Sequence, residues 1–585
     1  MPYLELKPTH KAIKEYYQQI NQLIESGHQN EGAVAPHFGN LLRHCATQMK
    51  WQLVEQKRIS KGVVPDGVLY DESNLRRGVW EAKDTQDQLD TEIKKKLAKG
   101  YPRDNLLFQS PDRLVLYQNR ETPVFDARIR DDPKQLIEGL NLFFNYEPPQ
   151  IQAWQGAVTE FQEKIPKLGQ RMITIIDEAQ QKNKRFKEAF DRFVEQCRKH
   201  IHPHLAIEAV KEMLIQHVLT ERMFTNIFNN PEFVQKNVIA REIDQVIQAL
   251  TSRSFSKDEF IKDNQLDKFY TALERAAATI EEYDDKQTFL NTVYERFFQG
   301  FAVKIADTHG IVYTPQPLVE FMVKSVEKIL QREFGKSLAS EGVEIIDPFV
   351  GTGNFIVRIL HEIHQLDFTR LEAKYQHELH CNEVMLLPYY IACMNIEHAF
   401  YELTKQYRPF EGICLVDTFE LVEGKQKELF VPENTQRVLK QQAAPIFVII
   451  GNPPYNVGQQ NENDNNKNRK YPKLDKMVAE SYAADSKATN KNALADVYVK
   501  AFKWATWRLQ DRKEGIVAFV TNNGFLDNIA FDGMRKYLAD TFDSIHLLDL
   551  GGNVRKNPKL SGTTHNVFGI QVGVCVTILV KKAKQ

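Results

Sequence analysis

The segment EIIDPFVGTGNFIVRIL, residues 344–360, constrains this chain most. A short apolar run ends in Asp347, a Pro-Phe-Val turn leads through Gly351 and Gly353, and apolar residues at helical spacing follow at once. Strand, glycine turn and helix in that order mark a parallel α/β sheet, because a helix carries the chain back to begin the next parallel strand. Glycines at such a turn let the backbone approach a ligand closely, and the helix start offers unpaired N–H groups. The loop carries neither GxxxxGK[ST] nor GxGxxG, so it is not read as a triphosphate loop or a dinucleotide turn.

Further short apolar runs, ELHCNEV, IFVIIGNPP, EGIVAFVTN and SIHLLDLGG, lie beyond residue 301, most of them followed by loops and helical patterns. They predict an α/β domain over 301–585 with a parallel sheet and helices on both faces. The last run, FGIQVGVCVTILVKK, reads as one more strand. Glu383 closes the run LHCNEV, where an acid can accept from ribose hydroxyls. Asp417, in CLVDTF, is placed to accept from an adenine amine. In IFVIIGNPPY two prolines make a rigid loop at a strand end, where ligands of parallel sheets lie. Asn452 and the carbonyl of the proline region can accept from an exocyclic amine, and Tyr455 can stack on a planar base.

Residues 1–145 have a different texture. KAIKEYYQQINQLIESG and FGNLLRHCATQMKWQLVEQ show helical spacing, whereas GVVPDGVLYD, GVWEAKD and DNLLFQSPDRLVLYQNRE read as strands joined by turns. That makes a mixed α/β domain. Asp66 precedes Glu81-Ala82-Lys83 by fifteen residues. Glu81 and Lys83 share a strand face, and pairing of the two strands sets them beside Asp66. Two converging carboxylates can hold Mg²⁺, which prefers oxygen ligands, and the lysine can orient water or offset charge on a phosphodiester. The plainer alternative is a pair of surface charges on an edge strand. Glu55, expected on the preceding helix, is a weaker candidate for a supporting acid, and Gln86 is a further one. Residues 146–300 read as a helical spacer with solvated charged faces. VGQQNENDNNKNRKYPKLDK, from Val457, reads as an insertion or a substrate-contacting loop.

With 76 Lys+Arg against 77 Asp+Glu the chain is not a globally basic, histone-like binder, although a local cleft can still be basic. Six scattered cysteines without a CxxC pair argue against a zinc site or a disulfide framework. The N-terminus lacks a signal-peptide pattern and no run is long enough to span a membrane, so a reducing cytoplasm is expected.

The ordered motifs resemble the amino-methylating DNA methyltransferases, specifically the gamma-order N6-adenine class. The resemblance implies that Asp347, Gly351 and Gly353 surround the methionine part of S-adenosylmethionine, that Glu383 binds its ribose and that Asp417 binds its adenine amine. GIVYTPQPLVEFMV matches the family's first cofactor-side block, with Thr314 and Pro315 near the methionine carboxylate. Asn452, Pro453, Pro454 and Tyr455 would hold the target adenine, while Asp496 and Tyr498 fall in the expected helical block. Cytosine N4 and a protein glutamine are the alternative acceptors.

Pro65-Asp66 and Glu81-Ala82-Lys83 resemble the PD-(D/E)xK restriction nucleases, with Asp66 and Glu81 as implied metal ligands. Together the parts resemble single-polypeptide restriction–modification enzymes of type IIG and type ISP, acting on double-stranded DNA. The absence of GxxxxGK[ST] points away from an ATP-driven translocase and toward the type IIG arrangement. The family's C-terminal recognition domain has no counterpart before residue 585, so recognition is expected from a separate subunit or from a missing domain. Arg555, Lys556, Lys559 and the basic cluster 467–473 are candidates for phosphate contacts. Three readings stand: a bifunctional restriction–modification protein, a methyltransferase with an inactive N-terminal unit, and a non-catalytic DNA- or partner-binding protein.

Overall fold

The computed structural model describes residues 4–26, 31–60, 62–71, 75–84, 88–200, 205–227, 233–252, 255–264, 266–278, 280, 289, 293, 314–424, 432–454, 470–552, 568 and 572–583. The chain divides into two compact units: Met1–Pro166 with Ile261–Gly300, and Lys167–Phe260 with Phe301–Gln585. The division falls inside the long helix Pro149–Lys182, at Pro166. A proline there removes one helical N–H donor and crowds the preceding turn. The helices of 146–300 are thus shared between the units.

The first unit contains a six-stranded sheet in sequential order, β1 (Gln52–Glu55), β2 (Gly67–Tyr70), β3 (Arg76–Ala82), β4 (Leu106–Gln109), β5 (Arg113–Tyr117) and β6 (Phe125–Arg128). Only β3 and β4 pair in parallel, and the helix Leu89–Ala98 lies between them in the chain. Alternation along β3 assigns its two faces. Trp80 and Ala82 pack with Phe38, Leu41 and Phe143, on the side of Lys11–Glu25, Glu31–Gln48 and Pro133–Phe144. Val79 packs with Leu89 and Ile93 on the opposite side, and Glu81 shares that face. The expected continuation of helix through WQLVEQ does not form. Lys50 has φ 58°, which ends the helical path, and Gln52–Glu55 pairs antiparallel with Gly67–Tyr70.

The second unit contains a seven-stranded sheet: β7 (Glu344–Asp347), β8 (Leu379–Glu383), β9 (Ile413–Leu415), β10 (Ile446–Gly451), β11 (Gly515–Asn522), β12 (Ser544–Gly551) and β13 (Val574–Lys581). Their spatial order is β12-β13-β11-β10-β7-β8-β9. The parallel sheet expected from the sequence forms in part. β7 to β11 are parallel, whereas β13 inserts between β11 and β12 and runs antiparallel to both. From β7 the chain proceeds outward through β8 and β9, then returns to β10 on the other side of β7. The order therefore reverses between β7 and β10, and ligands of open α/β sheets bind in the crevice beyond the carboxyl ends of strands at such a point. No helix among the described residues is long and apolar enough to cross a membrane.

Candidate functional site

Asp347 is the last residue of β7 and is fully buried. Its Oδ1 accepts the Phe349 N–H at 3.0 Å, while Oδ2 is buried with no hydrogen-bond partner among the described residues. Burial pushes this carboxyl up to about 8. Gly451, the last residue of β10, runs alongside, and a Cβ there would lie 2.6 Å from Asp347 Oδ1. Only glycine fits without displacing the carboxylate.

The glycine turn follows Asp347. Gly351 and Gly353 have φ 53° and 93°, the left-handed region that glycine enters without a Cβ clash. Gly353 caps the helix Asn354–Asp367, and a Cβ on it would meet the Ala392 backbone at 3.3 Å. Glu383, at the end of β8, accepts three backbone N–H groups: Gly351 at 3.0 Å, Val384 at 2.9 Å and Met385 at 2.8 Å. Burial pushes it up to about 7 although these donors pull it down. Asp417 follows β9 and accepts the Phe419 N–H at 3.0 Å and the Tyr471 hydroxyl at 2.9 Å. Three carboxylates thus stand at or just beyond the carboxyl ends of three adjacent strands.

Asn452 and Pro453 follow β10 directly, and the Asn452 Nδ2 donates to the Thr314 hydroxyl at 3.0 Å. Thr314 is buried and precedes Pro315, which caps the helix Gln316–Ile329. This bond spans 138 residues of sequence and joins the two predicted blocks. Pro453 is buried and Pro454 half-buried, while Tyr455 lies outside the described residues. Asp496 caps the helix Val497–Arg508, and Tyr498 is buried in that helix. Around these strand ends, Tyr471, Asn382 and Thr418 were not singled out by the sequence. Tyr471, which seals Asp417, was hidden at the end of the Asn- and Lys-rich stretch. Asn382 donates to the Thr418 hydroxyl at 3.1 Å, and Thr418 donates to the Pro348 carbonyl at 2.6 Å, which ties the turn after β7 to β8 and β9.

In the first unit, Asp66 directly precedes β2 and its Oδ2 accepts the Ala82 N–H at 2.8 Å, between Glu81 and Lys83. Glu81 and Lys83 are both buried, at 1% and 3% exposure. Lys83 donates to Glu81 Oε1 at 3.0 Å, and Lys96, from Leu89–Ala98, pairs with the same oxygen. Tyr101 donates to Glu81 Oε2 at 3.0 Å. Lys96 and Tyr101 carried no motif, and they reach Glu81 because β3 presents it to the face that this helix covers. Glu55 is corrected: it ends β1 rather than lying on a helix, and it forms a half-exposed ion pair with Arg43 at 2.5 Å. Gln86, Arg555, Lys556, Lys559 and residues 467–469 lie outside the described residues, while Lys470 is exposed.

With this sheet and these carboxylates at its strand ends, the chain resembles single-polypeptide restriction–modification enzymes. Residues 285–541 match the N-6 DNA methylase family, and residues 158–285 match the coupler domain of type ISP restriction–modification enzymes. Among solved structures, the DrdV–DNA complex is similar at 38% identity and a TM-score of 0.70, covering 98% of this chain and 56% of DrdV. The ATP-dependent type ISP enzyme LlaBIII, bound to DNA, is similar at 31% identity and a TM-score of 0.69, covering 84% of this chain and 32% of that one. A nuclease-deletion mutant of the type ISP enzyme LlaGI, with a DNA substrate mimic, gives 36% identity and a TM-score of 0.65, covering 72% of this chain and 34% of LlaGI. This chain therefore spans 56% or less of each. No curated protein matches it.

Proposed function

We propose that this chain is a DNA adenine-N6 methyltransferase that uses S-adenosylmethionine, joined to a Mg²⁺-dependent nuclease unit. What supports the first part is that Asp347, Glu383 and Asp417 end or follow the adjacent strands β7, β8 and β9, while Asn452 follows β10 on the other side of the point where the strand order reverses. The N-6 DNA methylase match across 285–541 and the DNA-bound relatives support it. The site fits a cationic cofactor. Asp347 has a buried carboxylate oxygen without a partner among the described residues, a group that a positively charged or N–H-bearing ligand satisfies. Asp347 and the Gly351–Gly353 turn would hold the methionine part, Glu383 the ribose and Asp417 the adenine amine. S-adenosylmethionine supplies the electrophilic methyl when bound.

The protein's own contribution is positioning and hydrogen bonding. Asn452 and the Pro453 carbonyl accept from the target amine, and these bonds help only insofar as they strengthen as its lone pair localises. Thr314, by accepting from Nδ2, turns the Asn452 carboxamide oxygen away from itself and leaves it as the acceptor for the amine. Rigid prolines hold that acceptor still, which keeps the orientation advantage. Labelled-methyl transfer to double-stranded DNA, followed by nucleoside digestion, should yield N6-methyladenine and should vanish in Asn452→Ala. Label in another nucleoside, or label that survives in the variant, overturns this reading.

For the nuclease part, Asp66 and Glu81 would hold the Mg²⁺ and Lys83 would offset charge on the phosphodiester. The alternative is a methyltransferase with an inactive N-terminal unit, and one observation favours it. Glu81 already takes Lys83, Lys96 and Tyr101, so a metal must compete with two ammonium groups for one carboxylate. Mg²⁺-dependent nicking that disappears in Asp66→Ala supports the nuclease. Absence of metal-dependent cleavage on any DNA leaves the methyltransferase alone.

A further inference from the structure

A third cluster lies within the second unit. His217 and Glu221 sit one turn apart on the helix Ile207–Ile227, so their side chains leave the same face. Asp244 comes from the helix Val238–Thr251. One nitrogen or oxygen from each of the three lies within 4.8 Å of the other two. His217 is 2% exposed. Its Nδ1 is 3.0 Å from the Tyr390 hydroxyl, and its Nε2 is buried with no hydrogen-bond partner among the described residues.

A buried polar nitrogen without a partner is rare in folded proteins, because leaving it unmade forfeits the hydration it had in the unfolded chain. We propose that His217, Glu221 and Asp244 form a binding site for a divalent transition-metal cation of the zinc class. In the tautomer that binds a metal through Nε2, Nδ1–H donates to the Tyr390 hydroxyl and Nε2 carries the lone pair. Metal-bound histidines characteristically hold their second ring nitrogen in this way. One imidazole with two carboxylates suits Zn²⁺, whereas Mg²⁺ prefers oxygen alone. Three protein ligands leave a coordination position for water.

Neighbours already touch the acids. Lys257 pairs with Glu221, and Gln248 Nε2 donates to Asp244 Oδ2 at 2.7 Å. Neither blocks a cation, since a carboxylate offers about four lone-pair sites on its two oxygens. Lys257 does oppose the charge of an incoming metal, so affinity is moderate. The position gives the cation a structural purpose. Tyr390 belongs to the helix Leu386–Thr404, which follows β8, and Asn237 donates to Cys393 of that helix at 3.3 Å. A cation here would fasten Ile207–Ile227 and Val238–Thr251 to each other, with Tyr390 linking them to the glycine-turn sheet.

The full-length chain, freed of metal with a chelator, is titrated with Zn²⁺ alone by calorimetry, and with Co²⁺ to read coordination from its visible spectrum. With excess Mg²⁺ present to occupy the carboxylate pair of the first unit, one equivalent should bind, raise the thermal midpoint and give a nitrogen–oxygen Co²⁺ spectrum. Asp244→Asn should abolish that equivalent, and Tyr390→Phe should weaken it by about tenfold. Asp66→Asn should leave it unchanged, which separates this site from the nuclease-like cluster. Glu221→Gln serves if Asp244→Asn fails to fold by circular dichroism. No Zn²⁺ binding, or binding equal in wild type and in the folded acid variant, overturns the proposal.

Discussion

Replacing Asp347 by Asn should make the protein more stable, by an amount that depends on pH. The carboxyl stands at about 8 in the folded protein against an ordinary 3.8, because burial disfavours its charged form. Between those two values the folded protein holds one proton that the unfolded chain has released. A state that binds the extra proton loses ground as protons become scarce, so wild-type stability falls with rising pH across this window. One proton corresponds to about 1.4 kcal/mol per pH unit, and the window is about four units wide, which sets a ceiling of about 6 kcal/mol.

Asn is isosteric and keeps an oxygen for the Phe349 N–H. Its amide leaves an unsatisfied donor where the protonated acid also has one, so that cost cancels at low pH. The two proteins should therefore unfold alike at or below about pH 4, and the variant should gain about 1.4 kcal/mol per unit above it, up to about pH 8. Relaxation around a charged Asp347 lowers its folded-state value, so the gain levels off earlier and totals less than the ceiling. The assay is the difference in thermal midpoint between variant and wild type at matched pH and scan rate, without cofactor. Parallel midpoints across the series, or a difference that shrinks as pH rises, would refute the argument that Asp347 is protonated by burial. If Asp347 also holds the cofactor, the same variant that gains stability should lose S-adenosylmethionine affinity, as functional sites commonly trade one for the other.

Gly353→Ala forces an L-residue to φ 93° with its Cβ 3.3 Å from the Ala392 backbone, and should cost about 1–3 kcal/mol in denaturant unfolding. A loss within error would show that the turn relaxes freely. Tyr471→Phe removes one donor from the buried Asp417 carboxylate, at about 1–3 kcal/mol. If Tyr471 positions Asp417 for the adenine amine, KM for S-adenosylmethionine should rise while kcat changes little; an equal fall in kcat and kcat/KM would place Tyr471 in a different step.

The parts of the site that the sequence revealed are those carried by short contiguous geometry. A strand ending in Asp347, a turn that needs positive φ at two glycines, and prolines after β10 each write their constraint into neighbouring residues. What stayed hidden depends on pairing between distant segments. The run VCVTILVK reads as a strand, yet nothing in it says that it enters antiparallel between β11 and β12. Trp51–Gln56 continues an apolar spacing compatible with helix, and only the pairing of Gln52–Glu55 with β2 makes it a strand. His217 and Asp244 meet across two helices, with no spacing rule to link them. The nuclease-like cluster shows why this matters for chemistry as well as for topology. Its motif names two acids and one lysine, a set competent for Mg²⁺. The fold adds Lys96 and Tyr101 to the same carboxylate, because alternation along β3 turns Glu81 toward the helix that carries Lys96. Whether the cluster binds a metal is therefore decided by competition between that cation and a second ammonium group. Lys96→Ala removes the competitor and leaves the motif intact.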